Sequence, residues 1–545
     1  MPLLQLLRQE VRANPRYLLF LTVVAAVSTT LLLGIINMAS SLVASGGSSL
    51  RLAFMFLVTV ALFALSQQAV TAIVAREVEA MIDRMRLAMV KDIRRSDIQT
   101  IDSIGRAPLY AALTQDAQTI SRSLPLLVIG SQQMAMLVFV CLYLAWLSMT
   151  AFVMAAGFTL FAIGLHLQRM TALGLATREV MAQEGQLFGG LSGLLRGLKE
   201  VRLNELRGEQ VVGELAAVSA HARAAKTAIK ARWAVESALI QLVFYLLVGL
   251  MVFVVPIFTS EFHQSVVQAT TAVLFLIGPI GMIAQAIPAV GDAQHSLQEM
   301  QGLQQRLRQA LADGVDESAE PLSAPVQDVA LEGIRYRYPS EHGDSGFAVG
   351  PLNARFRCGQ ITFITGGNGS GKSTMMRLLT GLMHPQQGAL QVNGEALRAE
   401  QMQAWRDQIS AVFADYYLFR RLYGVAPEAL ARAEALLQKL EMADKVHIRD
   451  GAFTTVDLSA GQRKRLALVV AELEDKPVLI LDEWAADQDP HFRKLFYEEL
   501  LPSFRARGKM VICVTHDDRW FDLADQILAM NEGQFEPGCA GSHHE

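Results

Sequence analysis

Along the first half of the chain, apolar residues run on for about twenty positions at a time without a charge. Along the second half they come in short, interrupted runs. A helix needs roughly 20 apolar residues to cross about 30 Å of hydrocarbon. Six stretches reach that length: Tyr17–Ile36, Leu52–Val74, Leu124–Ala145, Met149–Leu167, Ala238–Phe258 and Ala269–Ala289. The segments between spans two and three, and between spans four and five, are polar and basic. They keep an apolar residue at three- or four-residue spacing, as at Met81, Met85, Ala88 and Met89, the period of one helix face. The pattern predicts membrane helices that extend well beyond the bilayer and turn back near Pro108–Gln115 and near Gly193–Arg207. Gly314–Gln327, with its acids, Ser and Pro, reads as a linker. After it, strand-like and helix-like runs alternate as in an α/β domain on a mixed sheet. The expected division is a membrane domain over 1–313, a linker over 314–327, an α/β domain over 328–536 and a flexible tail over 537–545.

Charge orients the helices. The N-terminal stretch carries Arg8, Arg12 and Arg16, and the two long loops carry Arg76 to Arg122 and Arg169 to Arg232. Met38–Leu50, Trp146–Ser148 and Thr259–Gln268 carry no Lys or Arg. Basic residues stay on the cytoplasmic side, so both termini and both long loops are expected there. Leu3 to Arg12 is basic and amphipathic, but the apolar run after it is too long for a signal peptide and shows no small-residue cleavage site; it reads as a retained helix. The net charge of −4, with no basic stripe, argues against a nucleic-acid partner. The four cysteines are scattered, with no metal-ligand pair and no disulfide framework.

The candidate chemistry lies in the second half. Gly366-Gly367-Asn368-Gly369-Ser370-Gly371-Lys372-Ser373 fits GxxxxGK[ST] between a strand-like run, Ile361–Ile364, and a helix-like run, Thr374–Leu382. In that setting the backbone N–H groups of Gly366, Asn368, Gly369, Ser370, Gly371 and Thr374 close around phosphate oxygens, and the following helix aims its positive end at them. Lys372 would neutralise the β/γ-phosphates, and Ser373 would offer its hydroxyl to Mg²⁺. About a hundred residues on, Val478–Leu481 is an apolar strand ending in Asp482 and Glu483. Asp482 is placed beside Mg²⁺, and Glu483 beside the attacking water as general base or water-positioner. The chain is therefore expected to bind ATP with Mg²⁺ and hydrolyse it.

Between these motifs lies Leu458-Ser459-Ala460-Gly461-Gln462, ahead of a basic helix from Arg463 to Glu474. LSAGQ resembles the LSGGQ signature of ATP-binding-cassette (ABC) ATPases, with Ala for one Gly. With six spans ahead of it, the chain resembles an ABC exporter half-transporter of the six-helix, type IV kind. The resemblance implies an α-helical membrane domain of six transmembrane helices with long cytoplasmic extensions, followed by an α/β P-loop ATPase domain. It further implies that Tyr338 stacks on adenine, that Asp489 is the D-loop acid and that His516 reaches the γ-phosphate as the switch histidine. In the loop Val412-Phe413-Ala414-Asp415, Ala414 stands where the family usually carries a Gln touching Mg²⁺ and the attacking water; either Asp415 substitutes through water or water alone does. The signature of such proteins serves the nucleotide of the opposite subunit, so a second copy is expected, as a twofold homodimer.

A narrower resemblance is to the cyclic-peptide and siderophore-peptide exporter branch, which includes pyoverdine-type and syringomycin-type exporters. It rests on Asp482-Glu483-Trp484-Ala485-Ala486-Asp487-Gln488-Asp489-Pro490, on Ser410–Asp415 and on Gly197–Asn204. It implies peptide cargo carried across the bacterial inner membrane by a multi-pass protein in the lipid bilayer. With about 16 residues ahead of the first span, no leader-trimming peptidase domain is expected. Within the spans, Gln132, Gln133, Gln241 and Gln285 suit either an amide-rich cargo cavity or helix-to-helix hydrogen bonds. The rival readings are a multidrug or lipid exporter of the same fold, and an ATP-gated membrane protein that does not pump.

Overall fold

The structure, a computed structural model, describes residues 14–258, 266–313, 320–338 and 346–536. The basic, amphipathic stretch Leu3–Arg12, the tail after Glu536 and the first part of the linker lie outside the described residues. The chain forms two compact units, Met1–Asp92 with Arg106–Gln305, and Ile93–Gly105 with Arg306–Glu545.

The first unit is helical. The helices of the first half of the chain are α1 (Pro15–Ala44), α2 (Leu50–Arg95), α4 (Ala117–Leu147), α5 (Met149–Arg196), α7 (Glu205–Gly249) and α8 (Val266–Asp313), with the short α3 (Ile98–Ile104) and α6 (Leu198–Leu203) between them. Caps follow from local sequence. Asn14 accepts from the Arg16 N–H with Pro15 at the first helical position, and Asn204 accepts from the Arg207 N–H. Five helical stretches are long and apolar enough to cross a bilayer, and Met149–Gly164 is a shorter apolar helical segment. That segment is the described part of the fourth expected span; nothing is described of the side chains that follow it.

Helices in lipid gain little from hiding apolar surface against one another, so close approach decides their packing. Ala151, Ala155, Ala162, Ala269 and Ala272 are accordingly fully buried beside Leu33, Val140, Leu144, Phe244 and Leu276. At Gly130 a Cβ would sit 2.6 Å from the Cβ of Ala286, so the crossing of α4 and α8 requires glycine.

One expectation needs correction. The first break between the long helices falls at Ser96–Gly105, where Gly105 takes φ 83°, and not at Pro108–Gln115. Pro108 lies in the first turn of the helix Arg106–Ala111, where its missing N–H costs nothing, and a π-helical turn over Ala112–Asp116 carries the chain into α4. The second break, at Gly197–Asn204, lies where it was expected. By packing, Ile93–Gly105 and the end of α8 from Arg306 group with the second unit. Asp97, ahead of α3, lies within electrostatic reach of His384, Arg406 and Tyr336, and burial there raises its carboxyl above the usual range.

The second unit has two main sheets. β1 (Asp328–Arg337), β2 (Ala348–Arg357), β4 (Gln387–Val392) and β5 (Glu395–Ala396) form an antiparallel sheet in the order β2-β1-β4-β5. The larger sheet contains β3 (Ile361–Thr365), β6 (Ile409–Val412), β7 (Val478–Asp482), β8 (Met510–Val514), β9 (Gln526–Asn531) and β10 (Gln534–Phe535), in the order β10-β9-β3-β8-β7-β6. Every pairing but β9–β10 is parallel. Its central strands are apolar throughout because both faces are covered. Phe363, Leu479, Leu481, Val511 and Cys513 face one core with Trp484, Phe496 and Tyr497. Ile364, Val478, Ile480, Ile512 and Val514 face the other, with Phe356, Met375 and Trp405. The parallel register aligns Ile364, Val514 and Asp482 across three strands, with Val412 beside Leu481. Gly366, Ala414, Glu483 and His516 therefore emerge together at the carboxyl ends of four adjacent strands, the edge where open α/β sheets bind ligands.

Candidate functional site: a nucleotide cradle

The phosphate loop leaves β3 and enters the helix α9 (Lys372–Leu379). Its shape needs glycine. Gly366 takes φ 141°, and a Cβ there would lie 2.1 Å from the Met530 carbonyl; Gly371 takes φ 103° against Met530 and Val349. The buried Lys372 Nζ donates to the carbonyls of Gly366 (2.8 Å) and Gly367 (2.9 Å), so its charge lies across the loop. Ser370 Oγ is buried without a hydrogen-bond partner, an acceptor-or-donor group left over inside the cradle. Thr374 Oγ1 shares a hydrogen bond of 3.0 Å with the Tyr338 phenol, whose ring meets Tyr336 edge-on. The tyrosine expected at adenine is thus anchored directly to the phosphate-loop helix.

At the end of β7, Asp482 is buried and accepts weakly from the Ala414 N–H (3.4 Å). Burial pushes its carboxyl up and Glu483 adds to that; the Ala414 N–H, Lys372 and Lys464 oppose it. Ala414, the position that departs from the family pattern, thereby still reaches Asp482 through its backbone. Asp415 points elsewhere, to Arg377 at 3.6 Å. Glu483 sits at φ 48°, ψ 38°, a left-handed conformation costing a non-glycine residue about 1 kcal/mol or more. Its N–H donates to the Val514 carbonyl at 3.1 Å, and its Oε1 lies 3.3 Å from His516 Nε2. Glu483 and His516, 33 residues apart in sequence, are therefore in hydrogen-bond range.

His516 is itself held from behind. The buried Tyr497 phenol bonds Thr515 Oγ1 (2.6 Å) and donates to Asp517 Oδ2 (3.1 Å), and its ring stacks on Trp520. Burial holds this phenol far above the ordinary range, so it stays protonated and a donor.

The signature opens the helix α10 (Ala460–Glu474) as a capping box. Ser459 Oγ accepts from the Gln462 N–H, and Gln462 Oε1 accepts from the Ser459 N–H. The first N–H groups of a fifteen-residue helix are left facing outward at Ala460 and Gly461. A row of bonds ties this helix end to the segment after Glu483. Gln488 Nε2 donates to the Gly461 carbonyl (3.0 Å), and Arg465 pairs with Asp489 (3.5 Å) while lying over the Phe492 ring. Trp484 Nε1 donates to the Lys464 carbonyl (2.9 Å), and Lys464 Nζ donates to the Glu483 carbonyl (2.7 Å). Asp489 Oδ1 also caps the helix Pro490–Leu495.

Sequence reading missed Lys464, Trp484, Gln488 and Tyr497 as site residues. Lys464 was hidden in a basic helix that reads as a solvated face. Trp484 and Gln488 were visible only as departures from the family's usual residues beside the two acids.

In the helical unit, Gln132 is buried and donates to Gln67 on α2, so its amide serves helix-to-helix bonding. Gln133 is half-buried, and Gln241 and Gln285 are exposed on the single chain. A crevice of about 390 Å³ lies between α1 and α2, lined by Ile35, Ala39, Leu42, Leu52 and Phe56 among others, and includes none of these glutamines.

Strand ends carrying a phosphate loop, an acid pair and a histidine, together with a capped LSAGQ helix, define an ABC ATPase. The ABC transporter family model matches residues 349–486, from β2 through Glu483 and Trp484. The chain belongs to the ABC transporters: it is 32% identical over 462 residues to ATP-binding protein SyrD of Pseudomonas syringae pv. syringae, across 83% of this chain and 81% of that protein. It is an exporter half-transporter that binds ATP and couples its hydrolysis to transport across a membrane. Its fold matches a bacterial Atm1-family ABC exporter with ATP bound (TM-score 0.74, 18% identity, 97% of this chain and 94% of that one). ATP-dependent lipid A-core flippases of Alkalilimnicola ehrlichii (28% over 303 residues) and Ralstonia nicotianae (30% over 233 residues) are also similar. Those matches cover 50% and 40% of this chain, and 49% and 38% of the flippases.

Proposed function

We propose that the chain exports a cyclic or modified peptide, peptide siderophores included, from the bacterial cytoplasm across the inner membrane, with both termini cytoplasmic. What carries this reading is the likeness to SyrD, which runs through the membrane and ATPase regions together and not through the ATPase alone. The residues after Glu483 that suggested the peptide branch agree with it: Trp484 and Gln488 are built into the site by specific bonds.

In this reading two copies close on each other, each phosphate loop facing the other copy's signature. Lys372 turns from the carbonyls of Gly366 and Gly367 to the β/γ-phosphates, while Ser370 Oγ and the loop N–H groups complete the cradle. Tyr338 stacks on the adenine. Among the described residues no cluster of three or more His, Cys, Asp or Glu could cage a metal alone. The hard oxygens of Ser373 and Asp482 fit Mg²⁺ completed by phosphates and water. When bound, Mg²⁺ would neutralise charge on the phosphates. Glu483 accepts the proton of the attacking water, and His516 holds the γ-phosphate side. ATP binding and release then bias two arrangements of the helices, inward- and outward-open.

The test is ATP-dependent uptake into inside-out vesicles, with cyclic, lasso and siderophore peptides offered beside lipid and dye controls. Peptide uptake that disappears in Glu483→Gln establishes the cargo class. Uptake of lipids alone would instead favour the flippase-like reading suggested by the half-length relatives. ATP hydrolysis without uptake of anything would favour a protein that does not pump.

A further inference from the structure

We propose that Lys464 is a positioning residue for hydrolysis: it holds Glu483 in its left-handed backbone conformation and thereby ties the general base to the signature helix of the same chain. The inference rests on the ATP-site and dimer reading above.

Lys464 lies on the first turns of α10, two residues after the signature. Its side chain is almost entirely buried, and its ammonium has two acceptors. One is the carbonyl of Glu483 at 2.7 Å, and the other is Asp487 Oδ2 at 2.7 Å. The first acceptor is the informative one. A lysine needed only to pin the helix could bond any nearby carbonyl. This one bonds the carbonyl of the residue that sits at φ 48° and whose side chain reaches His516 at 3.3 Å. A left-handed glutamate persists only where its surroundings over-determine it. Here they do: Val514 accepts its N–H, Lys464 donates to its carbonyl, and the next residue, fully buried Trp484, donates back to the Lys464 carbonyl. The peptide after Glu483 is gripped from both sides by one residue of the signature helix. Without the ammonium, that peptide is free to relax toward a right-handed conformation, which swings the carboxylate away from His516.

The consequence concerns two sites. In the dimer a chain's signature faces its partner's ATP, whereas its Glu483 serves its own. Lys464 joins the two with a single side chain.

Mixed dimers of the full-length protein in lipid separate this role from a general one. The reference pairs a wild-type chain with a Glu483→Gln chain, so that one site turns over. In the first arrangement, Lys464→Met is placed on the chain that keeps Glu483. In the second, it is placed on the Glu483→Gln chain, where it can act only through the signature. Misplacing a reacting group by about 1 Å costs roughly 100-fold, so kcat is expected to fall 10- to 100-fold in the first arrangement, with KM for ATP within about twofold. In the second, kcat should stay within about twofold of the reference. Equal losses in both arrangements, or none in the first, overturn the proposal. If Lys464→Met does not fold, Lys464→Gln is used, with the same ordering of the two arrangements required. A Glu483→Gln homodimer as active as wild type would overturn the site reading itself, whatever Lys464 does.

Discussion

The two compact units use buried polar side chains differently. In the ATPase unit they reach across elements. Lys464 binds the residue after β7, Gln488 binds the signature helix, and Tyr497 binds the segment after β8. In the helical unit several of them fold back on their own helix. Thr22 donates to Leu18, Ser28 to Val24, Thr59 to Met55 and Ser66 to Phe63, each to a carbonyl one turn earlier. Others cross between helices: Gln132 reaches Gln67, Asn37 reaches Tyr143 and the Gln268 carbonyl, and Gln304 reaches Asp92. Phosphate chemistry is the same for every ATP, so it is fixed by bonds that hold groups in register. Helices that must rearrange around a cargo are better served by polar groups satisfied locally, which leave neighbours free to slide.

The sharpest way to break this contrast is at the chemistry. Glu483→Gln, which removes the proposed general base, should lower ATP turnover by about 100-fold or more while ATP binding is kept, read by steady-state hydrolysis beside nucleotide titration. Retained turnover would mean that the bonded site does not set the rate. The next effect is on stability. Trp484→Ala empties a fully buried position stacked on Phe496 at 4.5 Å and frees the Lys464 carbonyl. A loss of about 3–5 kcal/mol is expected in the unfolding of the ATPase unit, followed by denaturant titration of the purified protein. In the helical unit the corresponding change should be small. Replacing both partners, Gln67→Leu with Gln132→Leu, should shift stability by under about 1 kcal/mol, and thermal unfolding in lipid would read it. A large drop would place a rigid, bonded core in the helices too, and the contrast would fail.

The smallest expected effect is one of pH. Asp475, at the end of α10, is held below its ordinary range chiefly by its hydrogen bond from Lys509 at 2.8 Å, with Arg432 and Arg507 helping and burial opposing. A carboxyl depressed in the folded state adds stability above its unfolded value, about 3.9, and loses it as pH falls through the lower folded value. The side chain is half exposed, so the contribution is under about 1 kcal/mol. Asp475→Asn should therefore lower the melting temperature slightly at neutral pH and hardly at all at the acid end of the profile.

What was legible in the sequence follows the same divide. The phosphate loop, the Asp482-Glu483 pair and LSAGQ were readable because each needs particular residue types at adjacent positions. His516 was readable only through its place after an apolar strand, and parallel register then brings it to Glu483. The turn at Ser96–Gly105 was missed because Pro108 looked like the breaker. A proline in the first turn of a helix breaks nothing, and the true signals were Asp97 and the left-handed Gly105. Lys464 was missed because burial of a lysine depends on a partner far along the chain. The glutamines of the spans carried two readings, and the structure spends Gln132 on its neighbour while exposing Gln241 and Gln285 on the single chain.

The capped signature has one more consequence. Ser459 and Gln462 satisfy each other within the chain, and Ala460, where the family pattern has glycine, stands at the first helical position. Replacing a glycine by alanine at a helical position narrows the wandering of the unfolded segment and favours the folded one by about 0.4–1 kcal/mol. In the proposed dimer, the helix end that would receive the partner's nucleotide is thus set in shape before the two chains meet. Less disorder has to be given up when two chains close, and more of the energy of nucleotide capture is left to move the helices.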